Sequence, residues 1–166
     1  MWDYLQQHWD AVQCHYRQEL DEGHKYYAEA LNGAKRAAAI DVGWVGSGPL
    51  TLRWLIEDEW ALDCQLSCII AGTVGQSGQE WQNSEAELAK GTMVSYLFSS
   101  SHNRDMWIAH DASLGHNMLI ELLLSATTPS FRGFILQEGG GYTFSSHSEK
   151  IDTESIQRGI LDFVKL

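Results

Sequence analysis

A chain of 166 residues, 44% of them hydrophobic and 11% aromatic, is long enough to bury a core without disulfide or metal staples. Eleven basic residues against twenty-two acidic ones leave a formal net charge of -11, which repels phosphate backbones and, with no basic cluster to offset it, argues against nucleic-acid binding. No apolar run approaches the roughly 20 residues that span a bilayer. The opening Met1-Trp2-Asp3-Tyr4 stretch also lacks the basic and apolar regions of a signal peptide, so the expectation is a cytoplasmic protein without a membrane span.

Residues 2–31 read as helical, because Leu5, Trp9, Val12, Tyr16 and Leu20 recur at spacings of three and four. Gly23 is expected to break this stretch into two helices, and Asn32-Gly33 is a C-cap signal. Ala37–Asp41 is apolar up to its final acid, the pattern of a parallel strand covered on both faces. A glycine-rich turn follows, and Pro49 fits the first turn of a helix capped by Ser47 or Gly48. Leu52, Leu55, Ile56 and Leu62 give that helix a buried stripe ending near Asp63, and Cys64–Thr73 reads as a second strand. Residues 37–73 are thus one βαβ unit, whose right-handed crossover makes the strands parallel.

Val74–Ser84, rich in Gly, Gln, Ser and Asn, reads as a mobile loop. A short helix at 84–90, a strand at 92–98 and an irregular Ser99–Asp105 segment come next, then a strongly apolar helix over Leu114–Ala126. Phe131–Gln137 and Tyr142–Ser146 flank the Gly139-Gly140-Gly141 turn as a hairpin, and Ile151–Leu166 is an amphipathic helix with Ile156, Ile160 and Phe163 inward. That last helix carries no C-cap signal, which predicts a piece of a longer polypeptide. The organisation expected is a single α/β domain over 1–166, with a helical lead-in (1–33) and an α/β body (34–166). The fold class is α/β, three-layer and Rossmann-like, its sheet mainly parallel, with an N-terminal helical segment and a C-terminal hairpin plus helix.

Strand, glycine turn and helix N-terminus, in that order, are where α/β domains hold phosphates and other anions. Asp41 projects over the carboxyl edge of the sheet, while Gly43, Gly46 and Gly48 permit positive φ and close backbone approach. Trp44 within this loop either plugs the core beneath the turn or stacks on a ligand. Ser47 sits where a nucleophile could be imagined, but Val45 replaces the first glycine of a Gly-x-Ser-x-Gly elbow. Glu121 lies within Met118-Leu-Ile-Glu-Leu-Leu-Leu124, so its carboxylate is expected to be partly buried and to have a partner. His116 and Asn117 adjoin it. Asp41 and Glu121 are the candidates for a catalytic role; the ligand-binding set is Asp41, Gly43, Trp44, Gly46, Ser47, Gly48, His116, Asn117 and Glu121. The seven histidines show no metal-ligand spacing, and no metal site is expected. Cys64 and Cys68, about 13 Å apart in one extended segment, are too distant to bridge, and with Cys14 they read as free thiols.

The run Asp41-Val-Gly43-Trp-Val-Gly46-Ser-Gly48-Pro-Leu-Thr-Leu52 resembles the cofactor loop of S-adenosylmethionine-dependent methyltransferases. It carries one extra residue between the first two glycines, and Ile69-Ile-Ala-Gly-Thr73 lacks the acid those enzymes usually place after the next strand. A second resemblance spans about residues 24–166. Bacterial surface-polysaccharide proteins join a haloacid-dehalogenase-like hydrolase or a glycosyltransferase to a downstream α/β domain with similar motifs. Ile40-Asp41-Val42-Gly43-Trp44-Val45-Gly46-Ser47 resembles the first of these, and Glu121-Leu-Leu-Leu-Ser125-Ala126 with Pro129 and Gly133-Phe134 the second. Ile156-Gln157-Arg-Gly159-Ile160-Leu-Asp-Phe163 is similar to the third. The resemblance implies a Rossmann-like accessory domain in polysaccharide assembly, with the other domains of its polypeptide as partners and dehalogenase-type chemistry outside this chain. The expected ligand is small and anionic, such as a nucleotide-sugar across Gly43–Gly48. A methyltransferase-like domain and a non-catalytic scaffold are the alternatives.

Overall fold

In the computed structural model, which describes residues 2–73, 78–124, 130–136, 142–147 and 153–165, contacts gather the chain into two units. One comprises Met1–Gly33 and Pro129–Glu149, the other Ala34–Thr128 and Lys150–Leu166.

The first unit holds helices α1 (Trp2–Gln7) and α2 (Trp9–Leu31) and an antiparallel pair, β4 (Ser130–Leu136) and β5 (Tyr142–His147). The helical break falls at His8 (φ -112°, ψ 16°), and α2 runs unbroken through Gly23, contrary to the sequence expectation. A glycine costs a helix only about 1 kcal/mol relative to alanine, and Gly23 with Glu22 forms the buried part of α2. Tyr26 meets Phe134 at 5.5 Å between ring centres. Trp9, Tyr16 and Leu20, by contrast, stay exposed. Asn32 is the left-handed C-cap, its N–H donating to Ala28 O at 3.2 Å, as the Asn-Gly pair predicts. The predicted hairpin is present, and its glycine turn lies outside the described residues.

The second unit is built on a parallel three-stranded sheet in the order β1 (Arg36–Asp41), β2 (Gln65–Gly72), β3 (Met93–Phe98). Helix α3 (Ser47–Trp54) continues into a π turn at Leu55–Glu59 and joins β1 to β2; α4 (Gly78–Lys90) joins β2 to β3. Cys68, Ile70 and Met93 form a buried cluster with Leu50 and Leu88 from these helices. Ala71, the next residue on β2, points the other way and packs with Trp44 and Phe98 against Trp107 and Ile120. Those two come from α5 (Arg104–Ala109) and α6 (His116–Leu124). Helix α7 (Glu154–Val164) completes the unit.

Several boundaries differ from expectation. Strand β1 is the edge strand of the sheet among the described residues, and it is not covered on both faces: alternate residues are open, and Ile40 is 72% exposed. The N-cap of α3 is Gly46, not Ser47 or Gly48, and the helical stretch ends at Trp60 because Ala61 turns to φ 47°. Helix α4 begins at Gly78, inside the segment that reads as a loop, while residues 74–77 lie outside the described residues. Local polarity is a poor guide there, because polar residues of α4 also face inward: Ser84 is buried and Glu85 bonds Thr73. Helix α5 begins in the last two residues of the Ser99–Asp105 segment that reads as irregular and runs on to Ala109. Ile156, Ile160 and Phe163 of α7 are exposed rather than inward, Phe163 by 76%.

At its lower end the sheet is finished by side chains. Strand β3 begins opposite Cys68, so Leu66 has no partner on that side, and Glu57 from the π turn accepts its N–H at 2.6 Å. Arg53 of α3 reaches Glu87 of α4 at 3.1 Å and the carbonyl of Thr92 at 3.2 Å. Bonds from Lys90 first, then Thr92 and Arg53, hold the Glu87 carboxyl at about 2, against an ordinary 4.5. A depressed acid stabilises the fold above its unfolded value and ceases to as pH falls through the folded one. Glu87→Gln should therefore lower stability at pH 7 by about 1–2 kcal/mol, and the gap to the parent should close between pH 4.5 and 2 in urea titrations. A gap that persists unchanged at pH 2 would show that the charge is not what matters.

Candidate functional site

Strand β1 delivers Asp41 to the carboxyl edge of the sheet, and the chain turns there into α3. The carboxylate folds back over the loop: a Cβ placed on Gly43 would lie 2.4 Å from Asp41 Oδ2, and one on Gly48 would lie 3.8 Å from it. Asp41 thus stands beside the first turn of α3, where unpaired N–H groups and the helix dipole favour negative charge. Ser47 and Gly48 are exposed there, whereas Gly46 and Pro49 are buried.

Gly46 has a different part. At φ 75° it occupies the left-handed region, and a Cβ would come 2.5 Å from Met93 Cε. Its carbonyl accepts the Leu50 N–H at 3.1 Å, starting the helix. The glycine is therefore demanded by the core below the loop as much as by any ligand above it.

Trp44 turns inward as well. Its ring is 7% exposed, stacks on Phe98 (5.8 Å, 23°) and on His110 (5.0 Å, 22°), and its Nε1 donates to Glu121 Oε1 at 2.7 Å. The Glu121 residue itself is exposed, where partial burial was expected, although its bond to the indole is partly buried. Much of the apolar surface of α6 faces outward, Met118 by 71%, so apolar neighbours in sequence do not enclose the acid. Asn117 Oδ1 accepts from Nε2 of the buried His110, and His116 Nδ1 accepts the backbone N–H of Asp111 at 3.0 Å, which leaves the His116 proton on Nε2 in the neutral ring. Asp111 is held below its usual range by the side chain and N–H of Ser113.

The residues singled out from the sequence therefore separate into two groups. Asp41, Gly43, Ser47 and Gly48 form an outward rim at the helix N-terminus. Trp44, Gly46, Asn117 and Glu121 brace the loop from below, with His116 one ring contact away from His110 at 5.6 Å. The chemistry open to the rim is anion or hydroxyl recognition by backbone N–H groups and one carboxylate.

A second brace is invisible in the sequence pattern. Glu85 of α4 accepts from Thr73 Oγ1 at 2.5 Å and from the backbone N–H of Ser100 at 3.3 Å, and Ser100 Oγ adds a further bond. One carboxylate thus ties the end of β2 to the end of β3. Its neighbour Ser84, fully buried, donates to the carbonyl of Val45 in the glycine loop. Thr73, Ser84, Glu85, Ser100, Phe98 and His110 are all missed by motif reading, because their common location appears only once the strands are aligned. For Thr73 and Ser100 the signal that could have found them is positional, polar residues just after the second and third strands; Ser84, Glu85, Phe98 and His110 carry no such signal.

Among the described residues no three His, Cys, Asp or Glu side chains are grouped to hold a metal ion, and no helix is long and apolar enough to cross a membrane. Comparisons with family models, with curated proteins and with solved structures find nothing that matches this chain.

Proposed function

We propose that the second unit is the ligand-binding or accessory body of a surface-polysaccharide assembly protein, with a nucleotide-sugar or similar phosphate-bearing ligand lying across Gly43–Gly48. The observation that carries this reading is the rim itself: a parallel strand ends in Asp41, a braced glycine turn follows, and the exposed first turn of α3 opens beside it. Anions are held at such helix starts by N–H groups. Asp41 holds a sugar or ribose hydroxyl, and Glu121 positions the loop through Trp44. The fold that fits this role is a Rossmann-like, three-layer arrangement, supported by core clusters on both faces of the sheet. Other domains of the same polypeptide are its partners, and its setting is the cytoplasm.

One observation favours a second reading. The S-adenosylmethionine-dependent methyltransferase pattern asks for an acid at the end of the second strand, and α4 brings Glu85 to that place against Thr73. A non-catalytic scaffold, binding neither ligand, is the third.

A thermal-shift panel of UDP-, GDP- and dTDP-sugars with S-adenosylmethionine decides among them. A ligand at 100 times its Kd adds about 2.7 kcal/mol, a rise of about 5–10 °C for a chain of this length. Gly48→Val is the informative variant, since its Cβ has room and points at the rim. We expect one nucleotide sugar to raise the melting temperature of the parent and of Arg158→Ala, and not of Gly48→Val. A response to S-adenosylmethionine alone would overturn the reading in favour of the methyltransferase, and a flat panel in favour of the scaffold.

A further inference from the structure

The outer edge of β1 carries a row of backbone groups that β2 does not use. Gln65 N–H donates to Lys35 O at 2.9 Å, and Arg36 lies level with Gln65. In a parallel ladder this directs the backbone groups of Lys35, Ala37 and Ala39 to β2 and those of Arg36, Ala38 and Ile40 outward. The sheet ends at β1 among the described residues. Natural edges are commonly guarded by proline, a bulge or an inward charge. Ala37-Ala38-Ala39-Ile40 has none of these, and its small side chains leave the edge open to close approach.

The charges sit at opposite ends: Lys35 and Arg36 before the strand's centre, Asp41 after it. A second β1 arriving in parallel would set like charges side by side. An antiparallel one sets unlike charges together. Outward-facing groups must meet outward-facing groups, and of the registers that allow this the one that sets Lys35 against Asp41 has Ala38 facing Ala38 on the dyad and Arg36 facing Ile40. Three facing pairs then exchange two backbone bonds each.

We infer that β1 is the interface of a twofold dimer, in which two copies of this chain pair edge to edge into one six-stranded sheet about Ala38. The pairing is isologous and closes on itself, so it yields dimers rather than fibres. It also brings the partner's Lys35, whose ammonium pairs with Asp63 of its own copy, alongside Asp41. The dimer stands on the edge geometry alone and does not depend on which ligand the rim takes.

The full chain should sediment as a dimer. Ala38→Pro removes only an outward N–H, which an edge strand tolerates, so it should keep the melting temperature within about 3 °C and sediment as a monomer. Ala38→Cys, in a chain with Cys14→Ser, should form a disulfide-linked dimer under mild oxidation, because residues facing on the dyad have Cα atoms about 5.5 Å apart. Arg36→Cys should not, since two copies of residue 36 are then about 13 Å apart. A monomeric parent chain overturns the inference. So does a dimer that survives Ala38→Pro, or one that cross-links through residue 36 and not residue 38.

Discussion

Trp44→Ala should be among the most destabilising single changes in this protein, costing about 3–5 kcal/mol, the usual range for truncating a buried tryptophan. At about 2–4 °C per kcal/mol for a chain of this length, the melting temperature should fall by about 10 °C. The loss has three parts. The ring leaves a void against Phe98 and Ala71, its stack with His110 disappears, and the loop loses its tie to α6 through Glu121. Trp44→Phe separates these contributions. It keeps an aromatic face but no donor, and the exposed Glu121 can turn to water, so the cost should be near 1 kcal/mol. Calorimetry on the two variants is the check. A Trp44→Ala protein that melts within 2 °C of the parent would mean that this ring is not the plug of the glycine turn.

Gly46→Val should cost about 2–5 kcal/mol, whatever the loop binds. A β-branched residue at φ 75° is strained by about 1–2 kcal/mol, and forcing its Cβ toward Met93, 2.5 Å away, adds about 1–3 kcal/mol of overpacking. The second part can be removed separately. In a Met93→Ala background the clash has no target, so the added cost of Gly46→Val should shrink toward the backbone strain alone. Gly48→Val, two residues on, meets only Asp41 Oδ2 at 3.8 Å and should cost less than about 1 kcal/mol. Urea titrations of the parent and the four variants test the scheme, which fails if the valines at 46 and 48 are equally tolerated. The pair also shows which glycine can report on a ligand: at 46 lost binding and lost folding coincide, whereas at 48 they come apart.

The sequence made the βαβ unit, the third strand, the hairpin and the C-terminal end of α2 legible, because each rests on a signal a few residues long. Periodicity marks a strand, and an Asn-Gly pair at the end of a stripe marks a C-cap. What it did not make legible was which side of an element is covered. Alternation in β1 looked like a doubly buried strand because alanine is apolar and small, and nothing local says that a strand is last in its sheet. The apolar run of α6 similarly suggested an enclosed Glu121, yet several of its leucines face outward. At the site, glycines and Asp41 could be read in advance because they are contiguous. The partnership of Trp44 with Glu121 joins residues 77 apart, and the clamp of Glu85 on two strand ends requires three separate segments to be in place.

The π turn at Leu55–Glu59 has a consequence for how the sheet finds its alignment. Sliding β3 two residues down β2 would preserve which side chains face which side, so hydrophobic pattern alone does not forbid the error. The slipped strand would need the Leu66 N–H, and Glu57 already holds it. The wider turn aims that carboxylate at the strand rather than along the helix. A carboxylate parked at this rung acts as a stop: the native alignment of the third strand keeps the bond between Glu57 and Leu66, and the slipped one would have to break it.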